Sequence, residues 1–289
     1  AHAHNCNYLF EASVGGGIPI IRPLNYSLTA EKIEAITGIL NGTTNYILSK
    51  MEKEGADFAT VLKKAQEKGY AERNPEADIE GYDAGRKIAI LSSLMLGKTV
   101  DADKIYTEGI TKITTDDFLY AHKAGRTIKL LGMSKQTENG IFAMVAPFMI
   151  SEENPLSMVS GVFNAVCVRG NMLGDSMYYG KGAGKLPTAS AVVSDVVDCA
   201  RHQGKIIMCL WDKEEAQLED VGEVSRQFFL RVKVSGMGAL KAAFPEGEVL
   251  EIPGREDFGY ITKECKEASF YEKVKELSDI VLSVIRVEG

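Results

Sequence analysis

Residues 69–90, "GYAERNPEADIEGYDAGRKIAI", combine a cluster of carboxylates with one lysine in an apolar setting. A helix that begins near Asp83 would place Asp83 and Lys87 at positions i and i+4 of one face. Apolar residues surround Lys87 in that helix, so its amine should emerge on the packed side. The acids of the cluster are Glu72, Glu76, Asp78, Glu80 and Asp83.

Lys87 supports two interpretations. In the first, Asp83 and Lys87 form an ordinary surface ion pair, worth up to about 1 kcal/mol, and the lysine stem covers apolar surface. Spacing alone favours this interpretation. In the second, Lys87 is a partly desolvated proton-transfer amine that Asp83 orients.

Two of the acids, Glu72 and Asp78, lie in a predicted loop marked by Gly69 and Pro75, and function concentrates in loops. Two carboxylates that face one pocket would suit the α-ammonium group of a substrate. For each residue taken alone, a solvated loop acid is the favoured alternative.

The turn "ILNGTTNYI" carries Gly42 and Thr43 where a predicted strand passes into a helix. The backbone N–H groups of such a turn can bind a carboxylate or another anion. A plain helix cap is an equally good explanation.

Two glycine-rich segments have their own alternatives. "FEASVGGGIP" is typical of a flexible turn, or of a cation site in which Glu11 and backbone carbonyls ligate a hard ion. "YYGKGAGKLPTAS" leads into a helix start and suits contact with phosphate or nicotinamide. Its pattern at Gly180, Gly182 and Gly184 is weak evidence, and no GxGxxG follows a buried strand in the chain.

These residues need an α/β (α+β) scaffold, a mixed or antiparallel sheet that carries helices. We expect a strand over 8–24 that breaks at "GGGIP", and another over 32–40. Further strands should begin at 127 and continue through "GIFAMVAPFMI", "AVCVRGN" and "DSMYYG". Helical spacing predicts helices over 43–53, 58–68, 82–96, 115–124 and 187–203.

The C-terminal part has a different organisation. The charged stretch at 211–227 has linker composition, and the order β-α-β-β-α-β after it describes a small separate sandwich.

Bulk properties exclude several classes of protein. A net charge of −7 and a pI near 5.3 argue against a nucleic-acid partner. Cys6, Cys167, Cys199, Cys209 and Cys265 show neither disulfide nor zinc spacing, which fits a reducing cytoplasm. No apolar run approaches the roughly 18 residues of a membrane span, and the first residues lack the features of a signal peptide. The sequence therefore predicts a cytoplasmic protein without a membrane partner.

Taken in order, five motifs of this chain strongly resemble the homoserine dehydrogenase family, over residues 8–203. They are "FEASVGGGIPIIRPL", "GILNGTTNYIL", "GYAERNPEADIEGYDAGRKIAIL", "MYYGKGAGKLPTASAVVSDV" and the terminal β-α-β-β-α-β unit. The resemblance implies NAD(P)-dependent interconversion of L-homoserine and L-aspartate 4-semialdehyde, on the route to threonine, methionine and isoleucine. It also implies a homodimer or a higher homo-oligomer.

The same resemblance assigns roles to residues of this sequence. Lys87 resembles the family's proton donor and acceptor, and Asp83 resembles the residue that positions it. The resemblance places substrate contacts at Glu72, Asp78, Tyr70, Gly42 and Thr43, and a cofactor contact at Gly184. It places a sodium ion at Glu11, Val14, Gly16 and Ile18, bound mainly through backbone oxygens.

The family's N-terminal dinucleotide-binding region has no counterpart here, so we expect a truncated chain that is inactive alone. The expected organisation is the end of that region over 1–22, a catalytic and dimerisation domain over 23–186, a returning helix over 187–210, a linker over 211–225 and an ACT-like domain over 226–289. The ACT-like domain has two interpretations, an amino-acid effector site or a purely dimerising tail. An alternative for the whole chain is a non-catalytic amino-acid-sensing protein.

Overall fold

The computed structural model describes residues 1–138, 140–207 and 211–288. Its helices are α1 Gly42–Glu54, α2 Phe58–Glu67, α3 Glu76–Ile79, α4 Tyr82–Leu96, α5 Thr115–Lys123, α6 Lys185–Arg201, α7 Met237–Ala243 and α8 Glu267–Glu276. Its strands are β1 Ile33–Ile39, β2 Lys98–Thr99, β3 Tyr106–Thr107, β4 Arg126–Gln136, β5 Ile141–Ser151, β6 Phe163–Gly170, β7 Gly174–Lys181, β8 Asp212–Glu215, β9 Ser225–Lys233, β10 Gly247–Leu250, β11 Asp257–Thr262, β12 Cys265–Lys266 and β13 Val281–Glu288.

One large mixed sheet organises the molecule, as the sequence predicts. Its strand order is β10-β11-β9-β13-β5-β4-β1-β6-β7, with β12 beside β9 and β3 beside β5. The neighbours along this order pair antiparallel except at β13 and β5, which run parallel from Arg286–Glu288 against Phe148–Ile150. The short strands β2 and β8 pair with each other apart from this sheet.

Helices cover one face of the central strands and form the main core. Helix α4 packs on β4 and β5, α1 on β4 and β6, and α5 on β4. Ile36, Ile47 and Ile88, from β1, α1 and α4, are fully buried there. The site residues on α1 and α4 therefore stand on a rigid layer.

The predicted helices are present with nearly the predicted bounds, because their end signals are local. Gly55 and Gly97 end α1 and α4 in the left-handed conformation that glycine adopts without strain. At the start of α5, the Asp117 carboxylate accepts from the backbone N–H and the hydroxyl of Thr114.

The strand predicted over 8–24 is wrong. The segment forms a short turn of helix at Glu11–Ser13 and a wider turn at Pro23–Ser27, and Gly15 and Gly16 lie at positive φ between them. Its apolar residues Val14, Ile18 and Ile20 are buried all the same. Each of these residues reaches the core from a turn. Their burial therefore does not require the alternating buried and exposed positions of a strand.

The C-terminal order β9-α7-β10-β11-α8-β13 matches the predicted β-α-β-β-α-β, with the short β12 added before α8. The prediction that this unit is separate is wrong, because its strand β13 pairs with β5 of the preceding part of the chain. The two parts therefore share one continuous sheet. Its own core includes a stacked pair, Phe228 and Phe270, with ring centroids 3.7 Å apart. The predicted linker contains β8, whose residues are all exposed. The domain boundaries themselves remain predictions.

Within the part of the chain that the structure describes, no helix is both long and apolar enough to cross a membrane. Cys6, Cys167, Cys199 and Cys265 are free thiols. Cys209 lies outside the described residues.

Candidate functional site

Asp83 and Lys87 form the ion pair that their spacing predicts. Both lie on the first turns of α4, where Asp83 Oδ2 is 2.6 Å from Lys87 Nζ. The two side chains are 29% and 18% exposed. The pair is thus neither fully solvated nor fully buried, and its charges are only partly screened by water.

A second acceptor fixes the Lys87 amine. Its Nζ donates to the carbonyl oxygen of Leu40, 3.0 Å away at the end of β1. An ammonium group has three donors, and Asp83 and Leu40 accept two of them. Among the residues that the structure describes, no third acceptor engages the remaining N–H of Lys87.

Asn41 connects the acids of this site, and the sequence reasoning missed it. Its side-chain NH2 donates to Asp78 Oδ1 at 2.7 Å and to Asp83 Oδ2 at 2.9 Å. Its side-chain oxygen accepts from the backbone N–H of Thr44, so Asn41 is also the N-cap of α1. The available signal was an Asn between a predicted strand and the helix start "GTTN".

The start of α1 lies beside this network. Thr43 Oγ1 donates to the carbonyl oxygen of Tyr70 at 2.7 Å, and the Tyr70 ring meets Tyr46 edge-on at 5.0 Å. At Gly42, a Cβ would come within 3.0 Å of the Val162 carbonyl oxygen, so a side chain would crowd the turn. The backbone of this turn carries the helix N–H groups that can bind an anion.

Glu72 is not joined to the network. Glu72 is exposed, and its backbone carbonyl oxygen accepts a hydrogen bond from Gln66 Nε2 at 3.1 Å. Among the described residues, none forms a hydrogen bond or an ion pair with its carboxylate. The structure therefore brings together Asp78, Asp83 and Lys87 and leaves Glu72 on the neighbouring loop.

Glu11 anchors the segment that was expected to bind a cation. Its carboxylate accepts the backbone N–H groups of Ile20, Ile21 and Arg22 at 2.7, 3.0 and 2.8 Å. Burial raises the pKa of Glu11 above its ordinary value, and these three hydrogen bonds oppose part of the rise. Because the carboxylate is engaged in this way, a cation here would depend on backbone oxygens.

The turn after Glu11 touches the second glycine segment. A Cβ on Gly16 would lie 2.4 Å from the carbonyl oxygen of Gly182, and the Gly17 N–H donates to Lys181 O at 3.2 Å. Val14 and Ile18 on this turn are buried. The expected cation residues and the glycine loop are therefore one contiguous structure. No group of three or more His, Cys, Asp or Glu side chains suited to a metal occurs in the described ranges.

Gly184 stands at the entrance to α6. It has a φ of 117° and accepts the Thr188 N–H at 3.0 Å. A Cβ on the nearby Gly182 would lie 2.1 Å from the side chain of Asn164, which is itself close to Gly42. The buried Asn164 thus packs between the glycine loop and the start of α1. Neither polar atom of its amide has a hydrogen-bond partner in the described structure, and the sequence reasoning missed this residue.

Comparisons with known proteins identify one family. The family model described as homoserine dehydrogenase matches residues 19–197. Homoserine dehydrogenase of Neisseria gonorrhoeae is 51% identical over 70% of this chain and 46% of its own length. The Bacillus subtilis protein of the same name is 36% identical over the whole chain and 72% of its own length.

Solved structures give the same result. A homoserine dehydrogenase from Thiobacillus denitrificans superposes with a TM-score of 0.88 at 37% identity, over 100% of this chain and 72% of that one. A hyperthermophilic archaeal homoserine dehydrogenase in complex with NADPH gives a TM-score of 0.60 at 30% identity, over 70% of this chain and 58% of that one. The resemblance inferred from the five motifs is confirmed. This chain belongs to the homoserine dehydrogenase family, a family of NAD(P)-dependent oxidoreductases.

Proposed function

We propose that this chain supplies the substrate site for the NAD(P)-dependent interconversion of L-homoserine and L-aspartate 4-semialdehyde, a step in threonine, methionine and isoleucine biosynthesis. The observation that carries the proposal is Lys87, a half-buried amine held by Asp83 and Leu40 with one N–H still available. Family membership supports the reaction, and the geometry of the amine supports Lys87 as the residue of its proton transfer.

Lys87 acts on the oxygen of the reacting carbon. A bound NAD(P)H supplies the hydride chemistry. As the aldehyde oxygen gains negative charge, the charged amine stabilises it by electrostatic attraction and then donates a proton to it. In the oxidation of homoserine, the neutral amine takes the hydroxyl proton and becomes the charged form. Asp83 and the Leu40 carbonyl keep the Lys87 Nζ in place during this exchange.

The acids near Lys87 hold the substrate amino group. Asp78 uses one oxygen to accept from Asn41 and keeps its second oxygen for an ammonium group. Glu72, with no described partner, supplies the second carboxylate when the substrate is bound. Tyr70 contributes its exposed ring, and Gly42 and Thr43 contribute N–H groups to the substrate carboxylate.

The glycine segments fit the cofactor and the cation. Gly184 is exposed at the start of α6, so the backbone there can approach a cofactor closely. The turn of Glu11, Val14, Gly16 and Ile18 binds a monovalent cation, Na+ by family likeness, through backbone oxygens. A neutral oxygen set suits a single positive charge, and the anchored Glu11 carboxylate adds a negative charge nearby. We further propose a cytoplasmic homodimer.

The test is homoserine oxidation followed by NAD(P)H absorbance in the natural protein that carries these residues. Lys87→Ala should lower kcat by roughly a hundred-fold to ten-thousand-fold, the usual contribution of a general acid or base. The KM for homoserine should change little, since Asp78 and Glu72 remain.

The matched control is Lys63→Ala, which removes an exposed lysine from α2 and should leave the rate unchanged. An unchanged kcat in Lys87→Ala would reject the assigned role. Absence of homoserine oxidation in the unmodified protein would reject the proposed function.

A further inference from the structure

Asn164, the second residue of β6, lies where the parts of the site meet. Ile39 of β1 pairs with Ala165 of β6, and the two strands run antiparallel. Leu40 and Asn164 continue these strands side by side. Because the Leu40 carbonyl oxygen accepts a hydrogen bond from the Lys87 amine, Asn164 stands next to the groups that hold the proposed proton donor.

The Asn164 side chain fills the space between the glycine loop and the start of α1. A Cβ on Gly182 would lie 2.1 Å from the Asn164 Nδ2, and a Cβ on Gly42 would lie 3.5 Å from its Oδ1. The amide therefore borders the loop that leads to Gly184, the proposed cofactor contact, and also the turn proposed for the substrate carboxylate.

This amide is buried without a hydrogen bond. Asn164 is 1% exposed, and in the described part of the chain neither its Oδ1 nor its Nδ2 has a partner. The equally buried Asn45 differs, because its amide nitrogen donates to the carbonyl oxygens of Val159 and Phe163. An unpaired buried amide is costly to the fold, so the two free atoms of Asn164 point to a partner that arrives with a ligand.

The two free atoms define the chemistry of that partner. Oδ1 accepts a hydrogen bond and Nδ2 donates one, so the complementary group must carry an acceptor and a donor side by side. A primary carboxamide has both, whereas a carboxylate only accepts and an ammonium group only donates. The nicotinamide ring of NAD(P) carries a carboxamide beside the carbon that exchanges the hydride.

We propose that Asn164 orients the nicotinamide ring by pairing its side-chain amide with the ring carboxamide. Gly182 covers the amide in this structure, and the next residues of the loop, Ala183 and Gly184, are exposed. A shift of this loop therefore uncovers Asn164 without disturbing the buried core. This role rests on the cofactor surface of the proposed function, and it would hold the ring on the side of the site where the Lys87 amine is held.

Calorimetric titration of the natural protein that carries these residues tests the proposal. The probes are NAD(P)+ and its 3-acetylpyridine analogue, in which a methyl group replaces the NH2 of the carboxamide. The unmodified protein should bind NAD(P)+ about tenfold more tightly than the analogue, which leaves the Asn164 Oδ1 unpaired. Asn164→Leu should weaken the binding of NAD(P)+ about tenfold and bring the ratio of the two affinities close to one. Asn164→Ala should do the same, in case leucine fits poorly beside Gly182.

The matched control is Asn45→Leu, which removes a buried asparagine amide that already has partners. This variant should keep the preference for NAD(P)+ and unfold at a lower urea concentration than the unmodified protein. Asn164→Leu should show the reverse, because it removes two unpaired polar atoms from the ligand-free protein.

A preference for NAD(P)+ that persists in both Asn164 variants, as expected if the amide only holds an internal water, would overturn the proposal. Equal binding of the two probes by the unmodified protein would overturn it as well. Binding and turnover are measured separately. A preference that depends on Asn164 in a protein that oxidises no homoserine would support this role and reject the proposed function.

Discussion

One oxygen of Asp83 accepts two hydrogen bonds, from Lys87 at 2.6 Å and from Asn41 at 2.9 Å. Asn41 also donates to Asp78, so it bridges two carboxylates that would otherwise repel each other. A buried amide donates to both acids without adding charge. Asn41 is therefore a positioning residue for the proposed substrate and proton-transfer groups.

Asn41→Asp should separate this bridging role from the helix cap. Aspartate caps a helix as well as asparagine does, but it replaces two donated hydrogen bonds by repulsion with Asp78 and Asp83. We expect the free energy of unfolding to fall by about 1–3 kcal/mol, and the KM for homoserine to rise. Urea denaturation and the homoserine assay measure the two effects.

The control for Asn41→Asp is Asp57→Asn, which also exchanges a carboxylate and an amide at a helix N-cap. Asp57 caps α2 at an exposed position, where its oxygens accept from the backbone N–H and the hydroxyl of Thr60. This variant should lie within about 0.5 kcal/mol of the parent protein. An equally small effect of Asn41→Asp would contradict the bridging role.

At the scale of the element, β4 carries a lysine where its neighbours are apolar. Lys129 is 1% exposed, and its amine donates to the Val159 carbonyl oxygen at 3.0 Å. Burial lowers the pKa of Lys129 below its ordinary value, and the nearby Glu52 opposes part of the shift. The same strand exposes Lys135.

This shift predicts how stability depends on pH. A lysine whose pKa is lower in the folded state binds fewer protons there than in the unfolded state. Its contribution to the free energy of unfolding therefore rises with pH from the folded-state pKa up to the unfolded value of 10.5. Relative to Lys129→Met, the unmodified protein should gain stability as the pH rises toward that value.

Urea denaturation of both proteins over the alkaline range measures this difference. Lys135→Met is the control from the same strand, because it removes an exposed lysine in place of the buried one. A Lys129→Met difference that is constant with pH, or that has the opposite slope, would contradict the prediction.

At the scale of the molecule, a buried ionic cluster joins the C-terminal unit to the chain after β3. Arg286 of β13 is 2% exposed and contacts Glu267 of the same unit and Glu108 next to β3. Arg226 lies 3.1 Å from the second oxygen of Glu267. Removing one member of a buried ionic cluster is destabilising, because its former partner then remains buried without a compensating charge.

Arg286→Met should lower the free energy of unfolding by about 3–5 kcal/mol, since it leaves Glu267 and Glu108 short of their main partner. Arg169→Met is the matched control, because Arg169 and Asp175 form a pair in which both side chains are 60% exposed. Its effect should stay below about 1 kcal/mol. Urea denaturation midpoints measure both effects, and similar losses in the two variants would show that the cluster does not join the units.

The sequence by itself determined the features that depend on local chemistry. The helices could be predicted because glycine stops and polar caps lie within a few residues of the ends they form, as Gly97 does for α4. The pair of Asp83 and Lys87 could be predicted because helical spacing places them on one face. Five motifs in a fixed order were sufficient to identify the family.

Only the tertiary structure decided the features that join distant parts of the chain. Asn41 became the link between Asp78 and Asp83 because the end of β1 meets the start of α4, and Lys87 reaches the Leu40 carbonyl for the same reason. The segment 8–24 was misassigned because burial of single apolar residues in turns resembles a strand in sequence. The pairing of β13 with β5 could not be predicted either, since strand pairing is set by the packing of complete units and leaves no local pattern.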